Sequence, residues 1–193
     1  MIPNLVLAST SRYRRELLAR LGLPFRAVAP ACDEEALKTP DLAPEALAAK
    51  LARAKAESLR AAEPGAVIIG SDQLAAIDGV ILGKPGTPDR AEAQLAMLAG
   101  RTHALVTAVA VAHPGGVIEH LDVTRLTMRP LSAAQIARYV AADAPTDCAG
   151  AYKLEARGIA LFSGIEAEDH SAITGLPLIA LTTILASLGF PVP

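Results

Sequence analysis

Tryptophan is absent from the 193 residues, and three tyrosines and three phenylalanines are the only other aromatic side chains of that class. The composition is instead apolar and rich in alanine, which suits a helix-rich soluble enzyme. An excess of one charge is also lacking: 18 Lys and Arg stand against 20 Asp and Glu, for a net charge of −2. That balance offers no surface for a polyanion, so no nucleic-acid partner is expected. No apolar run reaches the roughly 18 residues that span a bilayer, and no membrane association is expected. A secretory leader is not expected either, because Arg12, Arg14 and Arg15 follow the short N-terminal apolar run instead of preceding it. The two cysteines, Cys32 and Cys148, lie far apart without metal-type spacing. They read as free or buried thiols in a cytoplasmic chain. Walker and dinucleotide glycine motifs are missing, as is a nucleophile elbow, and the four histidines occur singly.

What is present begins with Leu5-Val6-Leu7-Ala8-Ser9-Thr10-Ser11-Arg12-Tyr13-Arg14-Arg15, a short apolar strand running into a hydroxyl-rich turn and an arginine-loaded helix. Backbone N–H groups, hydroxyls and guanidinium groups meeting at a helix N-terminus suit a phosphate. The spacing of Tyr13, Leu17 and Leu21 predicts a helix over residues 11–21, ended by Gly22. A strand at 25–28 and an acidic loop at 32–35 follow. Pro44 suits the first turn of a helix running to residue 59, with Leu47, Leu51 and Leu59 on its inner stripe. A strand at 67–70 leads to a turn at Ser71-Asp72-Gln73, and Asp78-Gly79 signals a hairpin joining 74–77 to 80–82. A helix over 89–98 precedes a long hairpin of 104–112 and 117–127. Ser132 caps a helix ending near residue 142. A strand at 159–165 and a helix at 177–188 complete the pattern. Hairpins alternating with single helices predict a mixed sheet in one domain over residues 1–193.

Lys55 falls on the inner stripe, four residues from both Leu51 and Leu59. A buried ammonium without a partner is costly, so an anionic group should meet it, unless its stem packs while its head reaches water. Asp72 suits a metal ligand or a base for water, or else an Asx-type turn. Asp33-Glu34 and Lys84 in Gly83-Lys84-Pro85 are open in the same way: site residues or solvated turns. Together, carboxylates, several cations and a hydroxyl turn fit phosphoanhydride hydrolysis, where charge neutralisation and positioning dominate.

The segments 7–18, Asp33-Glu34, 51–56, Gly70-Ser71-Asp72-Gln73, Gly83-Lys84-Pro85 and Gly175-Leu176-Pro177-Leu178 occur in an order that resembles the Maf family of nucleoside triphosphate pyrophosphatases. The resemblance runs from residue 5 to about 188. Where the family usually has proline, this chain has Arg12. The resemblance implies a Maf/inosine-triphosphatase-like α/β fold, a mixed twisted sheet with flanking helices and two lobes around a central cleft. It implies hydrolysis of a nucleoside triphosphate to the monophosphate and pyrophosphate. Asp72 would be the catalytic acid/base residue, with a magnesium or manganese ion held by Glu34 and Asp72. Ser9, Arg14, Arg15, Lys55 and Lys84 would hold the triphosphate. The family often forms dimers, which admits a homodimer.

Three positions bear on the base. Members acting on dTTP and UTP usually carry an arginine-type residue, threonine and glutamine where this chain has Tyr13, Gln73 and Glu155. An aromatic residue, Gln and Glu resemble the 7-methyl-GTP subfamily instead, although tryptophan is its usual aromatic. Guanine presents two adjacent donors that a carboxylate can accept together. A ring stacked on the cationic methylated base gains about 0.5–2 kcal/mol. Without the resemblance, Tyr13 reads as core packing with Leu17, and Glu155 as a partner for Lys153 or Arg157. A dTTP/UTP pyrophosphatase and a nucleotide-binding regulator of division with little turnover remain the alternatives.

Overall fold

The computed structural model describes residues 3–39 and 42–192. Seven strands, β1 (Leu5–Ala8), β2 (Arg26–Val28), β3 (Val67–Ile77), β4 (Val80–Leu82), β5 (Thr102–His113), β6 (Gly116–Met128) and β7 (Phe162–Glu166), form one sheet. Its order is β2-β1-β3-β5-β6-β7, with β4 paired to β3 off that path. β1 runs parallel to β2 and β3, whereas β3–β4 and β6–β7 are antiparallel, so the sheet is mixed. Among the described residues six α-helices flank it: α1 (Arg12–Ala19), α2 (Glu34–Leu37), α3 (Pro44–Glu57), α4 (Pro88–Leu98), α5 (Ala133–Asp143) and α6 (Leu178–Ser187).

Local chemistry sets most of these boundaries. Ser11 caps α1 by accepting from the Arg14 N–H. Pro44 and Pro88 occupy the first turns of α3 and α4, where a missing N–H removes no helical bond. Ser132 and Gln135 close a capping box at the start of α5. The acidic stretch is more ordered than a loop, because Asp33 accepts from the Glu35 and Ala36 N–H groups and starts α2.

Two further segments depart from the sequence pattern. Residues 71–73 do not turn; they lie inside the 11-residue β3, since the apolar runs on either side belong to one continuous strand. Part of the expected 159–165 strand winds into a 3-10 turn, Arg157–Leu161, ahead of β7. Gly158 lies against the Lys153 backbone there, with an added Cβ only 2.4 Å from the Lys153 carbonyl oxygen.

The chain divides into two compact units. The first comprises Met1–Asp72, Thr107–Asp122 and Asp169–Pro193. Its core gathers Leu5 and Leu7 of β1, Leu17 and Leu18 of α1, Val67 and Ile69 of β3, Val109 and Val111 of β5, and Leu181 and Leu185 of α6. The second unit comprises Gln73–Val106 and Val123–Glu168. There α4 buries Ala91, Leu95 and Leu98, and α5 buries Ile136, Tyr139 and Val140, each at helical spacing.

Candidate active site

The first unit brings three of the singled-out side chains together. Lys55, on α3, is buried, and its ammonium lies 2.6 Å from Asp72 Oδ1 and 2.9 Å from Glu34 Oε2. The anion demanded by a lysine on the inner stripe is therefore present twice. Glycine makes this meeting feasible. An added Cβ on Gly70 would stand 2.2 Å from the Ala52 carbonyl oxygen and 2.6 Å from the Ala56 amide nitrogen. β3 thus lies directly on the α3 backbone beside Lys55, and Asp72 follows two residues along the strand.

Arg14 belongs to the same electrostatic field. Burial pushes its guanidinium down from the ordinary arginine value, and the charges of Asp72 and Glu34 oppose that fall. Its Nε donates to the Gly175 carbonyl at 2.9 Å, and Ser71 Oγ donates to the same oxygen at 2.9 Å. Gly175 has φ +108°, a conformation side chains rarely adopt. The loop carrying it is held by Asp169, which the sequence reading missed. Its carboxylate accepts from the Ser171 amide (2.8 Å), the Ser171 hydroxyl (2.5 Å) and the Ile179 amide of α6 (2.8 Å). The only local signal was a carboxylate and a serine nine and seven residues ahead of Leu178, beyond the reach of ordinary capping patterns.

Ser9 is buried and accepts from the Ser11 amide at 3.2 Å, while Arg15 is exposed on α1. Tyr13 is half-buried. The Arg12 guanidinium carbon lies 4.7 Å from its ring centroid, and Arg12 Nη2 donates to its hydroxyl at 3.1 Å. The residue in place of the family proline thus covers the Tyr13 ring.

In the second unit Gln73 is half-buried in β3, and Lys84 is exposed after β4. Glu155 is exposed in a turn. Neither suggested local partner takes it: Lys153 Nζ lies 3.2 Å from Asp147, and Arg157 Nη1 lies 3.4 Å from Asp143. Among the described residues Glu155 forms no ion pair.

A family model described as Maf-like protein matches residues 4–188. The chain belongs to the Maf family. A relative from Bdellovibrio bacteriovorus, named 7-methyl-GTP pyrophosphatase, is 53% identical over 94% of this chain and 95% of its own. A relative of the same name from Xanthomonas oryzae pv. oryzae is 47% identical over the whole of both chains. Another from Bordetella pertussis is 48% identical over 97% of this chain and 93% of its own. A solved nucleoside-triphosphatase, dITP/XTP pyrophosphatase, from Mycobacterium abscessus aligns with TM-score 0.42 at 18% identity. It covers 66% of this chain and 75% of its own.

The stretch of this Maf chain that leads to Glu155 is anchored by a buried aromatic cluster. His103 Nε2 and the Tyr152 hydroxyl are 2.9 Å apart, and Phe162 meets the Tyr152 ring edge-on at 5.0 Å. His103 Nδ1 finds no partner among the described residues, and burial holds the imidazole down at about 4. The unfolded chain takes up a proton near pH 6.5 that the folded chain refuses. The stability from neutral His103 is therefore complete above pH 6.5 and is lost as pH falls toward 4, by about 3 kcal/mol. Urea midpoints for His103→Gln should accordingly fall less steeply than wild type across that window; parallel curves would contradict the assignment.

Proposed function

We propose that this Maf chain hydrolyses 7-methyl-GTP to 7-methyl-GMP and pyrophosphate. The observation that carries the reaction is the buried Lys55–Asp72 pair, with the half-buried Glu34 on the same ammonium, in the field of Arg14. Asp72 acts as the base that takes a proton from the attacking water, as the α–β phosphoanhydride bond breaks and pyrophosphate leaves. Lys55 orients the Asp72 carboxylate through its 2.6 Å contact and offers positive charge to the phosphoryl oxygens. Ser9, Arg14, Arg15 and Lys84 hold the triphosphate. Arg14 is suited to this because its Nε is fixed on the Gly175 carbonyl, which sets the direction of its two terminal nitrogens.

The donor set also fits a divalent cation. Lys55 contacts one oxygen of each carboxylate, so Asp72 and Glu34 each keep another for a hard ion. Magnesium is commonly held by one or two protein carboxylates plus substrate phosphates, and Glu34 with Asp72 meets that need. When bound, the metal would neutralise charge developing on the phosphate oxygens.

Base selection is assigned to Tyr13, Gln73 and Glu155. An exposed, unpaired carboxylate is available to accept the two adjacent guanine donors. Tyr13 already lies beneath a guanidinium, the type of charge a 7-methylated purine carries. The names of the relatives support the same substrate. A cytoplasmic location is supported by the two free thiols, Cys32 and Cys148. No helix among the described residues is long and apolar enough to cross a membrane.

Glu155→Gln tests the base assignment. Replacing a double acceptor by an amide opposes one guanine donor with another donor, so the preference for 7-methyl-GTP over UTP in kcat/KM should fall about 10–100-fold. An unchanged ratio would remove Glu155 from base recognition.

A further inference from the structure

The turn that presents Glu155 belongs to no strand or α-helix, so its placement depends on where its backbone is tied. The main tie comes from α5. Tyr139, buried on that helix, accepts the Lys153 backbone N–H on its hydroxyl at 2.9 Å. The Lys153 ammonium reaches the Asp143 and Ala144 carbonyls, each at 3.3 Å, at the C-terminal end of α5. A cation there meets unsatisfied carbonyls and the negative end of the helix dipole. The Lys153 carbonyl in turn accepts from the Ala156 amide (3.1 Å) and the Gly158 amide (3.0 Å), closing the turn around Glu155. Beyond the turn, the Arg157 amide donates to Asp143 Oδ2 at 3.0 Å.

We propose that Tyr139 is a positioning residue for base selection: its hydroxyl fixes the Lys153 amide, and through that turn sets where the Glu155 carboxylate stands. The inference rests on the reading that Glu155 recognises the base. Tyr139 needs no contact with the nucleotide, and the ring and the hydroxyl have separable duties. The ring packs α5 into its unit, whereas the hydroxyl oxygen serves the turn.

Tyr139→Phe removes that oxygen and keeps the ring. The experiment compares kcat/KM for 7-methyl-GTP, GTP and UTP in wild type, Tyr139→Phe, Glu155→Gln and the double variant, with melting temperatures measured alongside. Tyr139→Phe should lower the 7-methyl-GTP to UTP ratio about tenfold, through KM for the methylated nucleotide, with UTP turnover nearly unchanged. In the Glu155→Gln background the same substitution should change the ratio less than about twofold, because both act through one carboxylate. A ratio unchanged by Tyr139→Phe overturns the proposal, as does an equal fall with Glu155 already replaced. A uniform loss on all three nucleotides together with a lowered melting temperature assigns Tyr139 to packing alone and also overturns it. If Glu155→Gln by itself leaves the ratio unchanged, the base reading fails and takes the Tyr139 role with it, a result visible without the Tyr139 variants.

Discussion

Asp72→Asn should lower kcat by about 10²–10⁴-fold while leaving nucleotide affinity within a few-fold of wild type. The amide cannot take a proton from water, but it preserves the volume of a side chain packed inside β3. Folding should survive, because Lys55 keeps a second anionic partner in Glu34, 2.9 Å away. Truncating Lys55 has a different consequence, since Asp72 would then be a buried carboxylate without its closest cation. Steady-state turnover combined with calorimetric titration of 7-methyl-GTP separates chemistry from binding. Turnover within threefold of wild type would deny Asp72 the role of base. A protein that binds nucleotide equally well before and after the substitution, with no turnover in either form, would be a binding regulator and not an enzyme.

Lys55 shows what periodicity can reveal. Its spacing from Leu51 and Leu59 places an ammonium on a buried face, and the cost of burying a charge requires an anion there. Asp72 and Glu34 meet that requirement. Composition and spacing do not reveal which carboxylates answer, because the partners come from separate elements. The same limit explains why 71–73 reads as a turn. Three polar residues interrupt two apolar runs, and only the distant Gly175 carbonyl, which accepts the Ser71 hydroxyl, makes a buried strand tolerable for that residue. Asp169 was illegible for a related reason: it serves the Ile179 amide from ten positions away. The Ser132 cap, governed by its own neighbours, is readable from the sequence, whereas Ser11 reads as the first helical residue and Asp33 as part of a loop. Spacing alone makes Glu155 read as a partner for Lys153 or Arg157, yet those cations form ion pairs with Asp147 and Asp143.

Gly70→Ala should be the most damaging single-methyl addition in the first unit. The new Cβ would fall 2.2 Å from the Ala52 carbonyl oxygen and 2.6 Å from the Ala56 nitrogen, both backbone atoms that no rotamer change can move aside. Relief requires separating α3 from β3, which opens the contact between the Ala52–Ala56 stretch of α3 and the strand and draws Lys55 away from Asp72. A destabilisation of about 3 kcal/mol or more follows, roughly 6–12 °C in Tm for a chain of this size. Turnover should fall at temperatures where the variant is still folded, since the Lys55–Asp72 contact is lost before the fold is. Differential scanning calorimetry and assays well below the transition check the two parts. A Tm within 2 °C of wild type with normal turnover would show that α3 does not rest on β3 as closely as described.

The most direct measurement of what the chain does is a nucleotide panel with magnesium, in which 7-methyl-GTP, GTP, dTTP and UTP are each followed for monophosphate, pyrophosphate and orthophosphate. The expected result is pyrophosphate and 7-methyl-GMP in equal amounts, with kcat/KM for 7-methyl-GTP at least tenfold above that for the others. Preference for dTTP or UTP would contradict the base assignment, and release of orthophosphate as the first product would contradict the reaction itself.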